Sequence, residues 1–394
     1  MQSQPTPASD GPKVIAAVSS CYFVGFLGMN FLPMWLGVLV DHLSASGATA
    51  GWMGTAEMSA MALGSIAVSS RVSRIDRLQT AYLGMASVAL CNVLAATTSH
   101  IPALFVLRAI AGLGEGCLMA LAAAGVGAAL QPERAMSVIL IILNLSMALL
   151  FLAAPVAINA YGSAGLPGLM ALLTFGAAPL ARWLPKAATA PSPPVASPVQ
   201  ISFSIRLNLP AMIGLSSIVL LLVAHGMVFA FVERIGTALS LTLQQIGSVL
   251  SASMLIDCLA PLLVIALGLR WGRLTPIGIG LLALTAATLA VTQSPFPAVF
   301  VGGVWLQLFA YTFILPFFAG LLASLDPHGR VAAGMSAAII VGFTIAPAIG
   351  GLLLARVGTF RLMGWTAAGL YLTILTLLIF SAVRERRFIA QVQS

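Results

Sequence analysis

From Pro102 to Leu130 the chain runs 29 residues with only two charged side chains, Arg108 and Glu115. Runs like this recur along its whole length. A hydrocarbon core about 30 Å thick is crossed by about 20 apolar residues in a helix. Cutting the sequence at polar and Pro/Gly punctuation gives twelve such spans: 14–39, 48–69, 79–98, 102–130, 136–159, 164–184, 208–232, 243–267, 275–292, 296–324, 331–355 and 361–383. Only 7% of the 394 residues are charged and 60% are hydrophobic, whereas a soluble domain carries about a quarter charged residues. Such a chain cannot cover a water-facing surface. The expected class is an all-α integral membrane protein.

The net charge of +8 would suggest nucleic acid as a partner if the basic residues shared a face. They fall in short loops instead. Arg234, Arg356 and Arg361 lie on one side, Arg108 lies inside a span, and the other basic residues, from Lys13 to Arg387, all lie on the opposite side. The positive-inside rule makes that second side cytoplasmic, with both termini on it. Cys21, Cys91, Cys117 and Cys258 all sit in apolar segments and read as small packing residues, not as a disulfide or metal framework. The first apolar run is too long for a signal-peptide core of ~7–15 residues, so it is expected to be a retained helix.

The longest loop, "PKAATAPSPPVASPVQISFSIRL", is proline-rich and extended. It divides the chain into an N-terminal six-helix half (1–184), a cytoplasmic linker (185–207) and a C-terminal six-helix half (208–394). A shift of 196 residues superimposes parts of the two halves. Gly51 meets Gly247, Ala56 meets Ala252, Met58 meets Met254 and Leu63 meets Leu259, while Arg74 and Arg77 fall on Arg270 and Arg273. "LQPER" after the fourth span likewise corresponds to "LDPHGR" after the tenth. Repeated halves with a solute site near the membrane midplane are the architecture of secondary transporters.

In the fourth span Arg108, Gly112, Gly114 and Gly116 form an RxxxGxGxG pattern. After the second span "GSIAVSSRVSR" runs from Gly64 through Arg71 and Arg74. On these motifs and the 6+6 division the chain resembles the major facilitator superfamily. The resemblance implies two pseudo-symmetric six-helix bundles, a cavity lined by helices one, four, seven and ten, and a cytoplasmic gate motif. In that motif Ser70 stands at the acidic position and Ser73 at a glycine, which leaves Asp76, beside Arg77, as the candidate replacement acid. The antiporter signature of helix five is reduced to Pro155 without its flanking glycines. "APAIGG" in helix eleven, with Pro347, Gly350 and Gly351, echoes it more closely and reads as a packing element.

A charged side chain at a helix centre costs about 2.5–3.5 kcal/mol on insertion scales, so intramembrane charges point to function. Arg108 and Glu115 are seven residues apart, ~10.5 Å along the axis, on one stripe with Gly112 between them. They either reach toward each other or face one cavity; the resemblance adds that such an arginine serves substrate binding or proton coupling. Gly112, Gly114 and Gly116 read as close helix contacts. Glu57 has no basic neighbour in sequence and is either a proton-binding carboxyl or a protonated hydrogen-bond donor to a neighbouring helix. Asp257 lies one turn past the repeat mate of Glu57. His225 is either a packing residue or a proton site. Tyr22, Asn30 and Trp35 in helix one, and Trp305, Gln307 and Tyr311 in helix ten, could contact a solute, with membrane-interface anchoring the other reading for the two tryptophans. Glu233 and Arg234 lie at the outer boundary, as solvated residues or as part of an outer gate.

No Walker A, HExxH, GxSxG or CxxC motif occurs, and no cofactor or metal is expected. The expected function is secondary active transport of a small organic solute by alternating access, coupled to protons, in a plasma (bacterial inner) membrane by a monomer. The alternatives are an uncoupled facilitator and a non-transporting membrane receptor or scaffold.

Overall fold

Local sequence sets where helices start and stop in the computed structural model, which describes residues 11–72, 74–184, 209–325 and 330–393. Pro12 opens α1 (Pro12–Gly25), a position where its missing N–H costs nothing. One turn residue, Phe26, separates it from α2 (Leu27–Leu43). After α3 (Gly47–Ser69) the chain reaches α4 (Arg77–Thr97), which Asp76 caps: its Oδ1 accepts the backbone N–H groups of Leu78 and Gln79 at 2.9 and 3.0 Å. α5 (Ile101–Gly127) carries Pro102 in its first turn. α6 (Pro132–Tyr161) stops at Gly162, whose φ of +58° favours glycine. α7 (Gly165–Ala177) runs on into a 3-10 stretch, Ala178–Trp183.

The remaining helices are α8 (Leu209–Ala230), α9 (Val232–Ala238), α10 (Leu243–Asp257), α11 (Leu259–Leu267), α12 (Leu274–Gln293), α13 (Pro297–Leu325), α14 (Arg330–Val357) and α15 (Arg361–Gln393). Thr242 and Gln245 close a reciprocal capping box at the start of α10.

Each of the twelve expected spans is helical, and the described residues contain no strand. Ten stretches are long and apolar enough to cross a membrane; one of them, Arg134–Trp183, covers two expected spans. α3 is not among the ten, but its 23 residues reach about 34 Å at 1.5 Å per residue. The structure corrects the expectation of unbroken helices in three places. The first span is interrupted at Phe26, the seventh gives way at Phe231 to the separate short α9, and the eighth breaks at Cys258, directly after Asp257. The linker 185–207 and Ser73 lie outside the described residues.

The chain forms two compact units. Unit 1 comprises residues 1–31, 56–149 and 157–200; unit 2 comprises 32–55, 150–156 and 201–394. Within unit 1, α5 packs on α1 and α4, and α4 packs on α7. Within unit 2, α8 packs on α14 and α15, α12 on α13 and α15, and α10 on α13. The segment 32–55 belongs to unit 2 through close backbone contacts. The Ala348 N–H donates to Thr55 Oγ1 at 3.1 Å, Gly51 lies against the Pro347 carbonyl and Gly351 against that of Gly47. The polarity is inverted relative to a water-soluble protein: Leu149 is 68% and Ile265 77% exposed, whereas Glu57 and Glu115 are fully buried.

Candidate functional site

The clearest concentration of chemistry lies in unit 1, and glycines assemble it. Gly112 and Gly116 on α5 leave no room for a Cβ: one at Gly112 would meet the Glu57 backbone carbonyl, and one at Gly116 the Met61 carbonyl. On the facing helix, Gly64 abuts the Leu113 carbonyl in the same way. α3 therefore lies directly along the glycine ridge of α5, in the close backbone approach that small residues permit within membranes. Gly114 faces the other neighbour, α4, where its Cβ would come within 2.8 Å of the Gly84 carbonyl.

That approach puts Glu57 beside Arg108. The guanidinium grips the carboxylate with two bonds, Nε to Oε2 at 3.0 Å and Nη2 to Oε1, the planar fork geometry that favours arginine over lysine. A third bond runs from Nη1 to Asn92 Oδ1 at 3.0 Å, while Asn92 Nδ2 donates to the Val88 carbonyl at 2.9 Å. Glu57, which has no basic neighbour in sequence, has one in space: its partner Arg108 is 51 residues away along the chain. The side chain of Arg108 is thus hydrogen-bonded to Glu57 and Asn92.

Glu115 occupies the same neighbourhood. Its Oε1 accepts the Gly28 N–H at 3.2 Å, just past the break at Phe26, and its Oε2 is buried without a hydrogen-bond partner. A Cβ on Gly28 would land on the carboxylate oxygens of both Glu57 and Glu115. The site is therefore two carboxylates and one guanidinium, all at most 2% exposed. Asn92 and Gly28 complete it, and the sequence reading passed over both. A lone amide in "ALCNVLAA" and a glycine two residues before Asn30 were the available signals.

Tyr22 and Asn30 flank the same helix break, and their contacts are local. Tyr22 stacks on Phe26 with ring centroids 5.8 Å apart, and Asn30 Nδ2 donates to the Phe26 carbonyl at 3.1 Å. In the cytoplasmic motif Arg71 and Arg74 are exposed, and Arg71 Nη1 donates to the Ala67 carbonyl at 3.2 Å. Arg77 is half-buried, with Nε and Nη1 unpartnered. Asp76, the candidate replacement acid, spends its carboxylate on the α4 cap and forms no ion pair among the described residues.

Unit 2 holds the remaining candidates. His225 on α8 is 3% exposed and stacks on Tyr311 of α13, with centroids 4.1 Å apart and planes 9° apart. Gln307, one turn before Tyr311, is 1% exposed. Asp257 ends α10 at the helix break. Pro347 and Gly351 pack against the 32–55 segment as described, and Gly350 packs against Phe231. Trp35 is 2% exposed and belongs to the core rather than a membrane interface, while the half-buried Trp305 donates Nε1 to the Val249 carbonyl at 3.1 Å. On α9, Arg234 pairs with Asp41 at 2.5 Å. Beside them Glu233 is 2% exposed, its Oε1 accepts from Thr237 at 2.8 Å and its carboxylate lies against Gly37. Burial pushes the Glu233 carboxyl up to about 7.

The sequence profile of the Major Facilitator Superfamily matches residues 18–232, more than half of the chain. The chain belongs to the Major Facilitator Superfamily. Solved structures of the same fold include the nucleoside transporter NupG in its D323A form (16% identity, TM-score 0.71, covering 93% of this chain and 99% of that one). The human organic anion transporter MFSD10 matches at 15% identity and TM-score 0.61, covering 94% and 100%. A D-xylose-proton symporter matches at 14% identity and TM-score 0.66, covering 93% and 96%. At these identities the likeness is one of fold. A comparison with curated protein sequences found no match. As a superfamily member the chain is a multi-pass membrane transporter and not an enzyme.

Proposed function

We propose that this superfamily member is a proton-coupled secondary transporter of a small organic solute, with the Glu57–Arg108–Glu115 cluster as its proton site. The observation that carries this reading is the charge imbalance of the cluster: two buried carboxylates share one buried guanidinium, and the only unpartnered oxygen belongs to Glu115. Glu57 and Arg108 neutralise each other. An ionised Glu115 adds a net negative charge inside the bilayer; a proton on Oε2 removes it.

The position that a Cβ on Gly28 would take lies within 3 Å of oxygens from both carboxylates, so those oxygens are no more than about 6 Å apart. At that separation two unit charges repel by about 3 kcal/mol at an effective dielectric constant of 20. Loss of the proton therefore sets Glu115 in competition with Glu57 for Arg108. A bistable arginine of this kind gives the two protonation states different preferred conformations, which is what coupling requires. Alternation between two six-helix halves, 1–184 and 208–394, joined by the 185–207 linker would carry that difference to the solute. The loop distribution of basic residues supports cytoplasmic termini in a plasma (bacterial inner) membrane, and we take the monomer as the working unit. A D-xylose-proton symporter among the fold relatives is consistent with proton coupling on this scaffold.

The test is transport in proteoliposomes with an imposed pH gradient. Glu115→Gln should abolish gradient-driven accumulation and leave solute exchange intact. Accumulation that survives in this variant would refute the assignment of the proton to Glu115, and flux insensitive to the gradient in the wild type would establish the uncoupled facilitator.

A further inference from the structure

Unit 2 contains a second polar cluster that the proton site does not use. Three of its buried side-chain atoms have no hydrogen-bond partner: Nδ1 of His225, Nε2 of Gln307 and Oδ1 of Asp257. The residues that carry them neighbour Tyr311. His225 stacks on its ring at 4.1 Å, Gln307 precedes it by one turn of α13, and Asp257 is near enough to act on it electrostatically. The ring of Phe343, from α14, stands edge-on to both His225 and Tyr311, with centroids 6.3 and 6.2 Å away. The helix bearing Asp257 is interrupted at the next residue, and interrupted helices are where transporters of this architecture expose polar groups to a solute.

An unsatisfied buried polar atom costs about 1–3 kcal/mol. Three such atoms on residues that neighbour one aromatic side chain point to a site that is complete only when something fills it. We propose that this cluster is a recognition subsite for an uncharged, ring-bearing solute that carries both a hydrogen-bond donor and an acceptor. The donor would go to Asp257 and the acceptor to Gln307, and His225 Nδ1 would serve whichever group is left, since a neutral imidazole nitrogen can act either way. The aromatic rings supply a flat apolar face. An anion would satisfy Gln307 but face the Asp257 carboxylate with no cation in the cluster. A cation would satisfy Asp257 but meet the positive end of the Gln307 amide. An uncharged solute with both groups completes all three atoms without bringing a charge against any of them.

This assignment rests on the transporter reading and specifies its solute class; it is independent of where the proton binds. The test uses the purified full-length chain in detergent, with binding read by thermal shift and isothermal titration. The uncharged probes are uridine, adenosine and nicotinamide; the charged ones are uridine 5′-monophosphate and phenethylammonium. At least one uncharged probe should bind while the charged two do not. Gln307→Leu and Asp257→Asn should each weaken that probe about tenfold or more while the unliganded protein keeps or gains thermal stability. His225→Phe, which keeps a ring but loses Nδ1, should weaken it less. Probe binding that Gln307→Leu and Asp257→Asn weaken, together with gradient-driven accumulation that survives in Glu115→Gln, would mark a failed proton site and a sound subsite; the reverse pattern would mark a failed subsite. Preference for either charged probe, no binding of any uncharged probe, or full affinity in both Gln307→Leu and Asp257→Asn would overturn the proposal.

Discussion

Removing the two carboxylates of the unit 1 cluster one at a time and then together should give strongly non-additive losses of stability. Arg108 is buried at 2% exposure and bonded to Glu57, with Glu115 close enough to act on it electrostatically. Removing one partner of a buried ion pair ordinarily costs about 3–5 kcal/mol, because a buried charge is left uncompensated. Here Glu115 can take over. Glu57→Gln should therefore cost only about 1–2 kcal/mol, the difference between a bidentate, charge-assisted pair and its weaker replacement. Glu115→Gln keeps the uncharged state that the proton gives Glu115 and should be close to neutral. The double variant leaves Arg108 without either carboxylate and should show the full cost of about 3–5 kcal/mol. The coupling energy is then about 2–3 kcal/mol, near the top of the range seen for residues in one network. Reversible unfolding in mixed micelles, followed by tryptophan fluorescence, measures all four proteins. Additivity within about 0.5 kcal/mol would refute the shared-arginine account.

Further consequences follow from single contacts. Gly116→Val places side-chain atoms where the Met61 carbonyl lies; overpacking of about 1–3 kcal/mol should appear as lower thermal stability and poor yield of folded protein. Asp76→Ala removes two hydrogen bonds at the start of α4 and should cost about 1 kcal/mol, whereas Asp76→Asn, which keeps the acceptor, should cost little; equal losses would mean that the charge matters and not the cap. Glu233 faces Arg234, Asp41 and Thr237 and is raised by burial to about 7. Its folded form therefore holds the proton more tightly than the unfolded form does. The stabilisation is fully present below about 4.5, the ordinary carboxyl value, and is lost as pH rises through 7. Thermal unfolding across that window should flatten in Glu233→Gln, and an unchanged pH profile would exclude Glu233 as its source.

Much of this was visible in the sequence, for physical reasons that also mark where it stopped. The spans could be read because the bilayer demands long apolar runs, and Arg108 and Glu115 stood out because charge there is expensive. The glycine ridge was legible as a close-packing signal, but not the helix it would meet. That contact, α3 on α5, pairs Arg108 with Glu57, and no spacing rule links positions 51 residues apart. Asn92 and Gly28 matter only through that tertiary arrangement. The breaks at Phe26 and Phe231 carry no proline, whereas the break after Asp257 lies one turn before Pro261, whose missing N–H and ring disfavour the helix there, a signal the sequence did offer. Asp76 could have been read correctly: an Asp directly before an amphipathic helix is an N-cap pattern, and its place next to a degraded gate motif drew attention to its charge instead.

The central claim is that one proton resides in the Glu57–Arg108–Glu115 cluster, on Glu115. Infrared difference spectroscopy of the purified protein in lipid at neutral pH tests it without a known solute, because a protonated carboxyl has a C=O stretch that a carboxylate lacks. Subtracting the Glu115→Gln spectrum from that of the wild type should leave one protonated-acid band, and Glu57→Gln, in which Glu115 ionises to pair with Arg108, should lose that band as well. A difference spectrum with no such band would contradict the account.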